Sequence, residues 1–341
     1  MRACVIRRAN DLQVEDRPDP SPGPREVTVA VALGGICGSD LHYLHEGAVG
    51  SFQLREPLVP GHEIVGRVRS LGDGVLGPAP GTAVAVHPAT PCGTCRECRE
   101  GRPNLCPSVR YLGSAAHYPH VQGGLVEELV VRADQVRVVP EGLELERAVL
   151  AEPLSVALHA ARRAGELAGR RVLVAGAGPI GLLLVALALR AGASRVVASD
   201  LVDAALERAA RLGASATVRA DRPGAGGWPA EVDVAFEASG TEGGLASCLE
   251  LARPRGTVVM VGVPPATGLG FPGGLVVTRE LTLTGAFRID GELEEALSLL
   301  AGGLAVEGVV SHVFPLAEAR AAFELAGDRS AASKVLLRLE K

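Results

Sequence analysis

The chain of 341 residues is longer than one typical domain and indicates two domains. Its 47% hydrophobic and 21% charged residues are typical of a globular protein and exclude an intrinsically disordered one. The net charge is -5, and no block of like charge stands out, which argues against a surface for nucleic acid or for an anionic membrane.

The predicted elements begin with a β-rich part of about 145 residues. Short β-branched or alternating runs, separated by Gly, Pro and Asp, predict strands over 27–33, 62–68, 82–86 and 126–132. Apolar residues at helical spacing then predict a helix within 142–164.

From 171 to 285 the pattern alternates between strand and helix. Strands are predicted over 171–175, 195–199, 232–237 and 257–261, and helices over 179–191, 203–212 and 242–252. This alternation predicts a parallel, doubly wound sheet. Two helices, about 291–302 and 316–326, and a strand near 334–339 follow.

The beginning of the chain and its cysteines indicate a compartment. The first residues lack the apolar segment of a secretory signal, and the longest apolar stretch, 180–189, is about half of a membrane span. The seven cysteines are an odd number, and a tight cluster among them favours a metal site over a disulfide framework. We therefore expect a cytoplasmic protein.

The strongest local motif is a cluster of four cysteines, Cys92, Cys95, Cys98 and Cys106. Four thiolates within fifteen residues can close a tetrahedral zinc shell, and a closed shell has a structural role. An iron–sulfur cluster is the alternative. A zinc ribbon for nucleic acid is disfavoured, because it would need two separated knuckles and a basic surface.

A glycine motif follows the predicted strand 171–175 and opens the next helix. Gly176, Gly178 and Gly181 form G-x-G-x-x-G, with Pro179 and Ile180 between the last two. The glycines permit a tight turn, close approach of a pyrophosphate and close helix packing, and the helix N-terminus favours the anion.

Asp200 ends the next predicted strand, 19 residues after the last glycine of the motif. A carboxylate there accepts hydrogen bonds from the ribose hydroxyls of an adenosine and repels a 2′-phosphate. We therefore predict NAD rather than NADP. The alternative role for Asp200 is that of a helix N-cap.

Three residue types of a catalytic zinc site occur outside the cysteine cluster. Cys37, His62 and Glu63 offer a thiolate, an imidazole and a carboxylate, which match a site with three ligands and one open position. Taken singly they are less specific, since a lone cysteine is more often a buried apolar residue. Glu152 adds a carboxylate at the start of a helix, where the helix dipole alone would favour it.

The order of these motifs resembles that of the zinc-containing medium-chain dehydrogenases over essentially the whole chain. The residues at 34–43, 50–52, 60–63, 113–115 and 119–123 are similar to those of the polyol branch, which holds sorbitol and L-idonate 5-dehydrogenases. The resemblance implies an α/β fold with a GroES-like catalytic domain (1–150), a Rossmann NAD-binding domain (151–284) and a return segment (285–341) that completes the catalytic domain.

The resemblance also implies roles for single residues. Cys37, His62 and Glu63 match the ligands of the catalytic zinc, and Glu152 falls at a further ligand position, where a carboxylate either touches the metal or holds its water. Ser39 and His42 match a proton relay. Val261 and Phe287 lie in segments that line the nicotinamide in relatives. The four-cysteine lobe matches a second, structural zinc.

The predicted function is an NAD- and zinc-dependent dehydrogenase acting on a secondary alcohol of a polyol or sugar acid. Tyr43, Glu152 and Arg288 are the candidate substrate contacts, and Arg288 is expected to bind a carboxylate bidentately. A phosphate or structural partner is the alternative for Arg288. The alternative functions are an L-threonine 3-dehydrogenase and a non-catalytic NAD-binding protein, and a homodimer or homotetramer is expected from the resemblance.

Overall fold

The computed structural model describes residues 1–222, 226–265 and 267–340. Two large sheets organise it, one in a β-rich domain and one in a domain of alternating strands and helices. In the described part of the chain, no helix combines the length and the apolar character needed to cross a membrane.

The β-rich domain is built mainly from the first part of the chain. Its strands are β1 (Arg2–Arg8), β2 (Asp11–Asp16), β3 (Glu26–Gly35), β4 (Ala48–Val49), β5 (Phe52–Gln53), β6 (Glu63–Leu71), β7 (Ala83–Val86), β8 (Ala89–Thr90), β9 (Arg110–Tyr111), β10 (Glu128–Arg132) and β11 (Val136–Val138). Its helices are α1 (Gly38–Glu46), α2 (Arg96–Arg99) and α3 (Leu145–Ala148), with 3-10 turns at Pro103–Leu105 and Ala133–Gln135.

The alternating domain follows, and a last segment comes after it. The domain contains α4 (Ala151–Ala164), β12 (Arg171–Ala175), α5 (Pro179–Arg190), β13 (Arg195–Asp200), α6 (Asp203–Arg211), β14 (Ala216–Arg219), β15 (Val232–Glu237), α7 (Glu242–Leu251), β16 (Ala252–Met260), α8 (Gly273–Thr278) and β17 (Thr282–Gly285). The last segment contains α9 (Leu293–Ala301), β18 (Val310–Pro315), a 3-10 turn (Leu316–Glu318), α10 (Ala319–Gly327) and β19 (Lys334–Arg338).

The sheet of the alternating domain is parallel throughout, in the order β14-β13-β12-β15-β16-β17. This is the strand order of a Rossmann domain, whose ligands bind at the carboxyl ends of the strands where the order reverses, between β12 and β15. The predicted α/β fold class is confirmed.

The sheet of the β-rich domain includes strands from both parts of the chain. Its order is β11-β7-β6-β3-β19-β18, and β10 pairs with the first half of β3. β19 runs antiparallel to the second half of β3, with Leu336 opposite Gly35. The chain therefore returns to this sheet after the Rossmann domain. On the way, α9 packs with α4 in the core shared with the Rossmann domain.

The prediction of a single helix within 142–164 is wrong, because the structure has two helices there. These are α3 and α4, with Val149 and Leu150 between them. Pro153 explains the break, because it has no N–H to donate to the carbonyl of Val149 and its ring would clash there. A proline is tolerated in the first turn, so a new helix begins at Ala151.

Several elements carry too weak a pattern to be predicted. The hairpin of β1 and β2, the short strands β14 and β17, strand β18 and helix α1 all escape the sequence analysis. β17 ends the parallel sheet as an edge strand. The predicted helix 316–326 begins as a 3-10 turn before α10.

Candidate active site

The glycine motif shapes an open helix N-terminus at the end of β12. Gly176 has φ +95°, and a Cβ there would lie 2.8 Å from the amide nitrogen of Ser239. A Cβ on Gly181 would lie 1.8 Å from the carbonyl oxygen of Gly176, so only glycine allows helix and strand to approach. Gly178 faces open space. Pro179 begins α5, so the turn leaves room for a diphosphate at free N–H groups.

Asp200 lies at the same edge of the sheet. Its carboxylate accepts hydrogen bonds from the amides of Ala177, at 2.7 Å, and Val202, at 2.9 Å. The first bond ties Asp200 to the glycine turn and fixes the carboxylate beside it.

Two residues were predicted to line a nicotinamide. Val261 directly follows β16 and is half-buried, whereas the side chain of Phe287 is exposed.

Cys37, His62 and Glu63 meet where β3 and β6 pair. The register places Gly35 opposite Glu63, so Cys37, two residues further on, lies beside the start of β6. The candidate ligand atoms of these three side chains all lie within 4.8 Å of one another. A Cβ on Gly35 would lie 1.9 Å from a carboxylate oxygen of Glu63, so a glycine is needed there.

A buried carboxylate, Asp40, links the two segments that carry these residues. It accepts hydrogen bonds from the amides of Cys37, at 2.9 Å, and Gly61, at 3.1 Å. Burial raises the pKa of Asp40, although the charge of His62 and the bond from Cys37 oppose this. Asp40 thereby holds the turn before α1 against the turn before β6.

Lys334 of β19 reaches the same place from the far end of the chain. Its ammonium lies 2.6 Å from Oε1 of Glu63 and 3.1 Å from the carbonyl oxygen of Ile36, and both charged side chains are buried. Oε2 of Glu63 is buried without a hydrogen-bond partner among the described residues. A buried acceptor of this kind needs a partner, and a metal ion between Cys37 and His62 would supply one.

The electrostatics of the cluster also fit a cation. Burial lowers the pKa of His62, but the charges of Cys37, Glu152 and Asp40 outweigh it, so that the pKa of His62 is raised. The donor set is therefore negatively charged and enclosed. Sulfur, nitrogen and oxygen ligands in this combination are typical of a catalytic zinc site.

Glu152 lies beside this cluster, outside the three side chains whose ligand atoms converge. It is buried in the first turn of α4, and Oε1 accepts a hydrogen bond of 2.8 Å from the hydroxyl of Tyr111. The ring of Tyr111 meets that of His62 edge-on, with centroids 5.6 Å apart. Tyr111 thus joins Glu152 to a predicted metal ligand.

Ser39 and His42 lie on α1, three residues apart and therefore on one face. Ser39 is half-buried. His42 is exposed, and its Nδ1 lies 2.7 Å from a carboxylate oxygen of Glu46. Exposure therefore increases from Ser39 to His42, and the proton relay stays a prediction.

Besides Glu152, the candidate substrate contacts are Tyr43 and Arg288, and they differ in how far their polar groups are already occupied. Tyr43 is buried, and its hydroxyl accepts a hydrogen bond of 2.9 Å from the amide of Ala115. The guanidinium of Arg288 stacks on two rings, 4.5 Å from the centroid of Phe287 and 5.3 Å from that of Tyr111. It makes no hydrogen bond or ion pair with another described residue, and Arg288 has φ +60°. Strain in a non-glycine residue is typical of functional sites.

The four-cysteine lobe is a separate cluster. The sulfur atoms of Cys92, Cys95, Cys98 and Cys106 all lie within 4.8 Å of one another. Hydrogen bonds from the amides of Thr94 and Cys95 lower the pKa of Cys92 to about 6. Burial and the neighbouring thiols raise the pKa of Cys98 to about 12. A divalent cation would stabilise all four as thiolates, as in a closed zinc shell.

The sequence analysis missed the residues that support the site. Asp40 stands inside the run 34–43 but carries no signal that separates it from an exposed helix residue. Tyr111 and Lys334 lie far from the motifs, and only the fold brings them to the cluster. Lys334 did carry one signal, because it is one of only two lysines in the chain.

Comparisons with known proteins give a consistent result. Residues 23–141 match the family model described as alcohol dehydrogenase GroES-like domain, and residues 179–302 match that described as zinc-binding dehydrogenase. L-idonate 5-dehydrogenase (NAD(P)(+)) of Escherichia coli is 39% identical over 91% of this chain and 90% of its own length. Sorbitol dehydrogenase of Gallus gallus is 36% identical over 99% of this chain and 96% of its own.

Solved structures agree in fold. The crystal structure of the Escherichia coli L-idonate 5-dehydrogenase superposes with a TM-score of 0.92, covering 99% of this chain and 97% of that one, at 36% identity. A zinc-binding dehydrogenase from Sinorhizobium meliloti, solved bound to NADP, superposes with a TM-score of 0.89 at 32% identity, covering 99% of this chain and 98% of that one.

Proposed function

The chain belongs to the zinc-containing medium-chain dehydrogenases, in their polyol branch, and on this premise we propose that it oxidises a secondary alcohol of a polyol or sugar acid with NAD. The observation that carries the proposal is the convergence of the candidate ligand atoms of Cys37, His62 and Glu63. Three ligands would hold a zinc ion and leave one position for the substrate oxygen.

The bound groups would supply Lewis acidity at that oxygen and a hydride acceptor at the nicotinamide. The chain's own residues supply position and proton transfer. Ser39 would pass the hydroxyl proton of the substrate, by way of the coenzyme ribose, to His42, whose exposed imidazole would release a proton to solvent. Glu152, held by Tyr111, stays a proposed ligand or a holder of the metal's water.

NAD is the proposed coenzyme because of Asp200. Its carboxylate would accept the ribose hydroxyls and repel a 2′-phosphate. β14 places Arg219 next to Asp200 in register, but the guanidinium of Arg219 is already paired with Asp203, at 3.1 Å, and Asp221, at 2.8 Å. We therefore do not expect Arg219 to attract a 2′-phosphate.

Arg288 supports a sugar acid among the possible substrates. Its guanidinium is half-buried, held between two rings and without an anionic partner among the described residues. A planar fork of this kind binds a carboxylate bidentately. Neutral polyols and L-threonine remain the alternatives, since both would use the same metal ligands.

The test follows NADH formation by the zinc-loaded protein with L-idonate, sorbitol, xylitol and L-threonine, each with NAD or NADP. We expect idonate with NAD to be preferred. Arg288→Gln should lower kcat/KM for idonate more than for sorbitol, and an unchanged ratio would refute the carboxylate role. Ser39→Ala should lower kcat by roughly 10²-fold. No oxidation of any of the four compounds, with two zinc ions and NAD bound, would exclude them as substrates and leave the dehydrogenase chemistry in place.

We propose two further properties, a location and an oligomeric state. A cytoplasmic location suits the four free thiols of the cysteine lobe, which a reducing compartment preserves. A homodimer or homotetramer is proposed from the resemblance, and the edge strand β17 offers backbone groups for pairing with a second copy. Light scattering of the purified protein measures its mass directly.

A further inference from the structure

The connection from β17 to α9 carries two of the proposed active-site residues. We call residues 286–291 the cleft loop. It contains Phe287 and Arg288, and Arg288 has the left-handed φ described above. A loop with such a residue needs support from its surroundings, because the conformation is unfavourable for a residue with a side chain.

Two side chains hold the far end of the cleft loop. Nε2 of His87, from the β-rich domain, lies 2.9 Å from the carbonyl oxygen of Asp290. The amide of Asp290 donates a hydrogen bond of 2.6 Å to Oε2 of Glu292, which is buried. Ile289 is buried as well. These contacts fix residues 289–292 but do not reach the backbone of Phe287 or Arg288.

Asn104 holds the near end. It lies in the 3-10 turn between the third and fourth cysteines of the cysteine lobe, and it is 6% exposed. Its side-chain amide donates a hydrogen bond of 3.0 Å to the carbonyl oxygen of Phe287. The cysteine lobe therefore contacts the cleft loop directly, 183 residues away in sequence.

A second contact fixes which way the amide of Asn104 faces. Nδ1 of His159 lies 3.0 Å from the carboxylate of Glu292, and in the tautomer that donates a hydrogen bond there Nε2 is an acceptor. Nδ2 of Asn104 lies 3.4 Å from that Nε2. One NH₂ group thus faces both His159 and the carbonyl of Phe287, and this carbonyl tolerates no acceptor in its place.

We propose that Asn104 is a positioning residue, which holds the backbone of Phe287 against the cysteine lobe and thereby sets the direction of the Arg288 side chain. The inference rests on the proposed function, in which Phe287 and Arg288 face coenzyme and substrate. It gives the cysteine lobe a second task besides its own folding, since the lobe supplies the one side-chain hydrogen bond found at the carbonyl of Phe287 among the described residues.

The decisive variant is Asn104→Asp, which keeps the shape but replaces the donating NH₂ group by an accepting carboxylate oxygen. We expect exchange of amide hydrogen in 286–291 to become at least about tenfold faster than in the wild type, with two zinc ions per chain retained. We also expect kcat/KM for the alcohol to fall about tenfold, mainly because KM rises. A tenfold change corresponds to the free energy of one buried hydrogen bond. NADH affinity, set largely by the glycine turn and Asp200, should change less than threefold.

Leu105→Ala is the matched control. Leu105 stands next to Asn104 in the same turn, and its side chain is exposed, so this variant should leave exchange and kinetics as in the wild type. Asn104→Ser provides a smaller residue that keeps one donor, should Asn104→Asp not fold. It should show the same changes to a lesser degree.

Two results would overturn the proposal. One is wild-type exchange in 286–291 for both Asn104 variants. The other is loss of one zinc ion per chain, which would make Asn104 a residue of the lobe's own folding only. Neither measurement needs a substrate, so a wild type that oxidises no alcohol would count against the proposed function while the exchange data still decide the role of Asn104.

Discussion

Replacing Glu292 by glutamine removes a negative charge from the interior at the start of α9. Glu292 is 1% exposed. Its carboxylate accepts hydrogen bonds from His159, at 3.0 Å, Arg162, at 2.8 Å, and the amide of Asp290, at 2.6 Å. Glutamine keeps the shape and one acceptor oxygen, but its NH₂ group faces donors where the second oxygen stood.

The magnitude follows from the pKa of Glu292. Burial raises this pKa, but the hydrogen bonds from His159 and Asp290 outweigh it and lower the pKa from 4.5 to about 2. A carboxyl group whose pKa falls in this way on folding adds about 3 kcal/mol to the free energy of unfolding at pH 7. Glutamine retains one acceptor oxygen and Arg162 is exposed, and both facts reduce the loss of stability. We therefore expect Glu292→Gln to lower the free energy of unfolding by about 2–3 kcal/mol.

Thermal unfolding followed by circular dichroism measures this loss. A chain of this size unfolds with an entropy of roughly 0.7 kcal/mol/K, so Tm should fall by about 3–4 °C at pH 7. Because the folded pKa is depressed, the stabilisation is complete above pH 4.5 and is lost as the pH falls toward 2. The difference in Tm should therefore be constant from pH 6 to 8 and smaller at pH 4.

Glu295→Gln is the control. Glu295 also pairs with Arg162, but it is exposed, so its loss should cost less than about 1 kcal/mol. A Tm for Glu292→Gln within 1 °C of the wild type at pH 7 would refute the reasoning. A difference that grows on acidification would refute the assigned direction of the pKa.

Four other substitutions test the site. Gly178→Ala should fold normally, since its Cβ meets open space. It should weaken NADH binding at least about tenfold in a fluorescence titration, because the methyl group occupies the path of the diphosphate. Gly181→Ala should instead lower Tm by several degrees, because its Cβ would lie 1.8 Å from a backbone carbonyl oxygen. Tyr111→Phe should lower kcat/KM by about 10–100-fold, because it removes the 2.8 Å hydrogen bond to the carboxylate of Glu152. Cys98→Ser should reduce the zinc content by one ion per chain and lower Tm, as measured by metal analysis and calorimetry.

A wild-type Tm in Gly181→Ala would contradict the close approach of helix and strand at that glycine, and the other three variants have contrary outcomes of their own. Wild-type NADH affinity in Gly178→Ala would place the diphosphate elsewhere. Wild-type kinetics in Tyr111→Phe would show that Glu152 does not depend on its hydroxyl. An unchanged zinc content in Cys98→Ser would mean that the four sulfur atoms do not share one ion.

The parallel sheet was predictable because its main strands are short apolar runs that alternate with apolar-rich segments of helical length. β12 and β15 have the predicted bounds. The break before Ala151 was missed because periodicity alone takes no account of the carbonyl that Pro153 leaves without a donor. β18 was missed because its sequence, Val310–Pro315, includes polar residues and a proline, and its pairing with β19 comes from the tertiary fold.

The residues of the candidate site also fall into those that local sequence motifs predict and those that only the tertiary fold brings in. Cys37, His62 and Glu63 belong to local motifs, and the antiparallel register of β3 and β6 brings them together. Tyr111, Lys334 and Asn104 could not be predicted from local patterns, because each acts through a partner far away in the chain. A buried lysine is visible only when the sheet that covers it is known.

The position of β19 has a consequence for biosynthesis. This strand pairs with β3, and its Lys334 contacts Glu63, yet nearly three hundred residues separate β3 from β19 in the order of translation. While the Rossmann domain is being made on the ribosome, the second half of β3 lacks this neighbour and has an open edge, a place where strands of other chains can add. The Rossmann sheet uses only strands between residues 171 and 285, so this sheet can form before β19 is made. We expect nascent chains that stop before residue 334 to bind chaperones through this edge and to lack the ammonium that pairs with Glu63, so that assembly of the metal site is completed only after the late strand emerges.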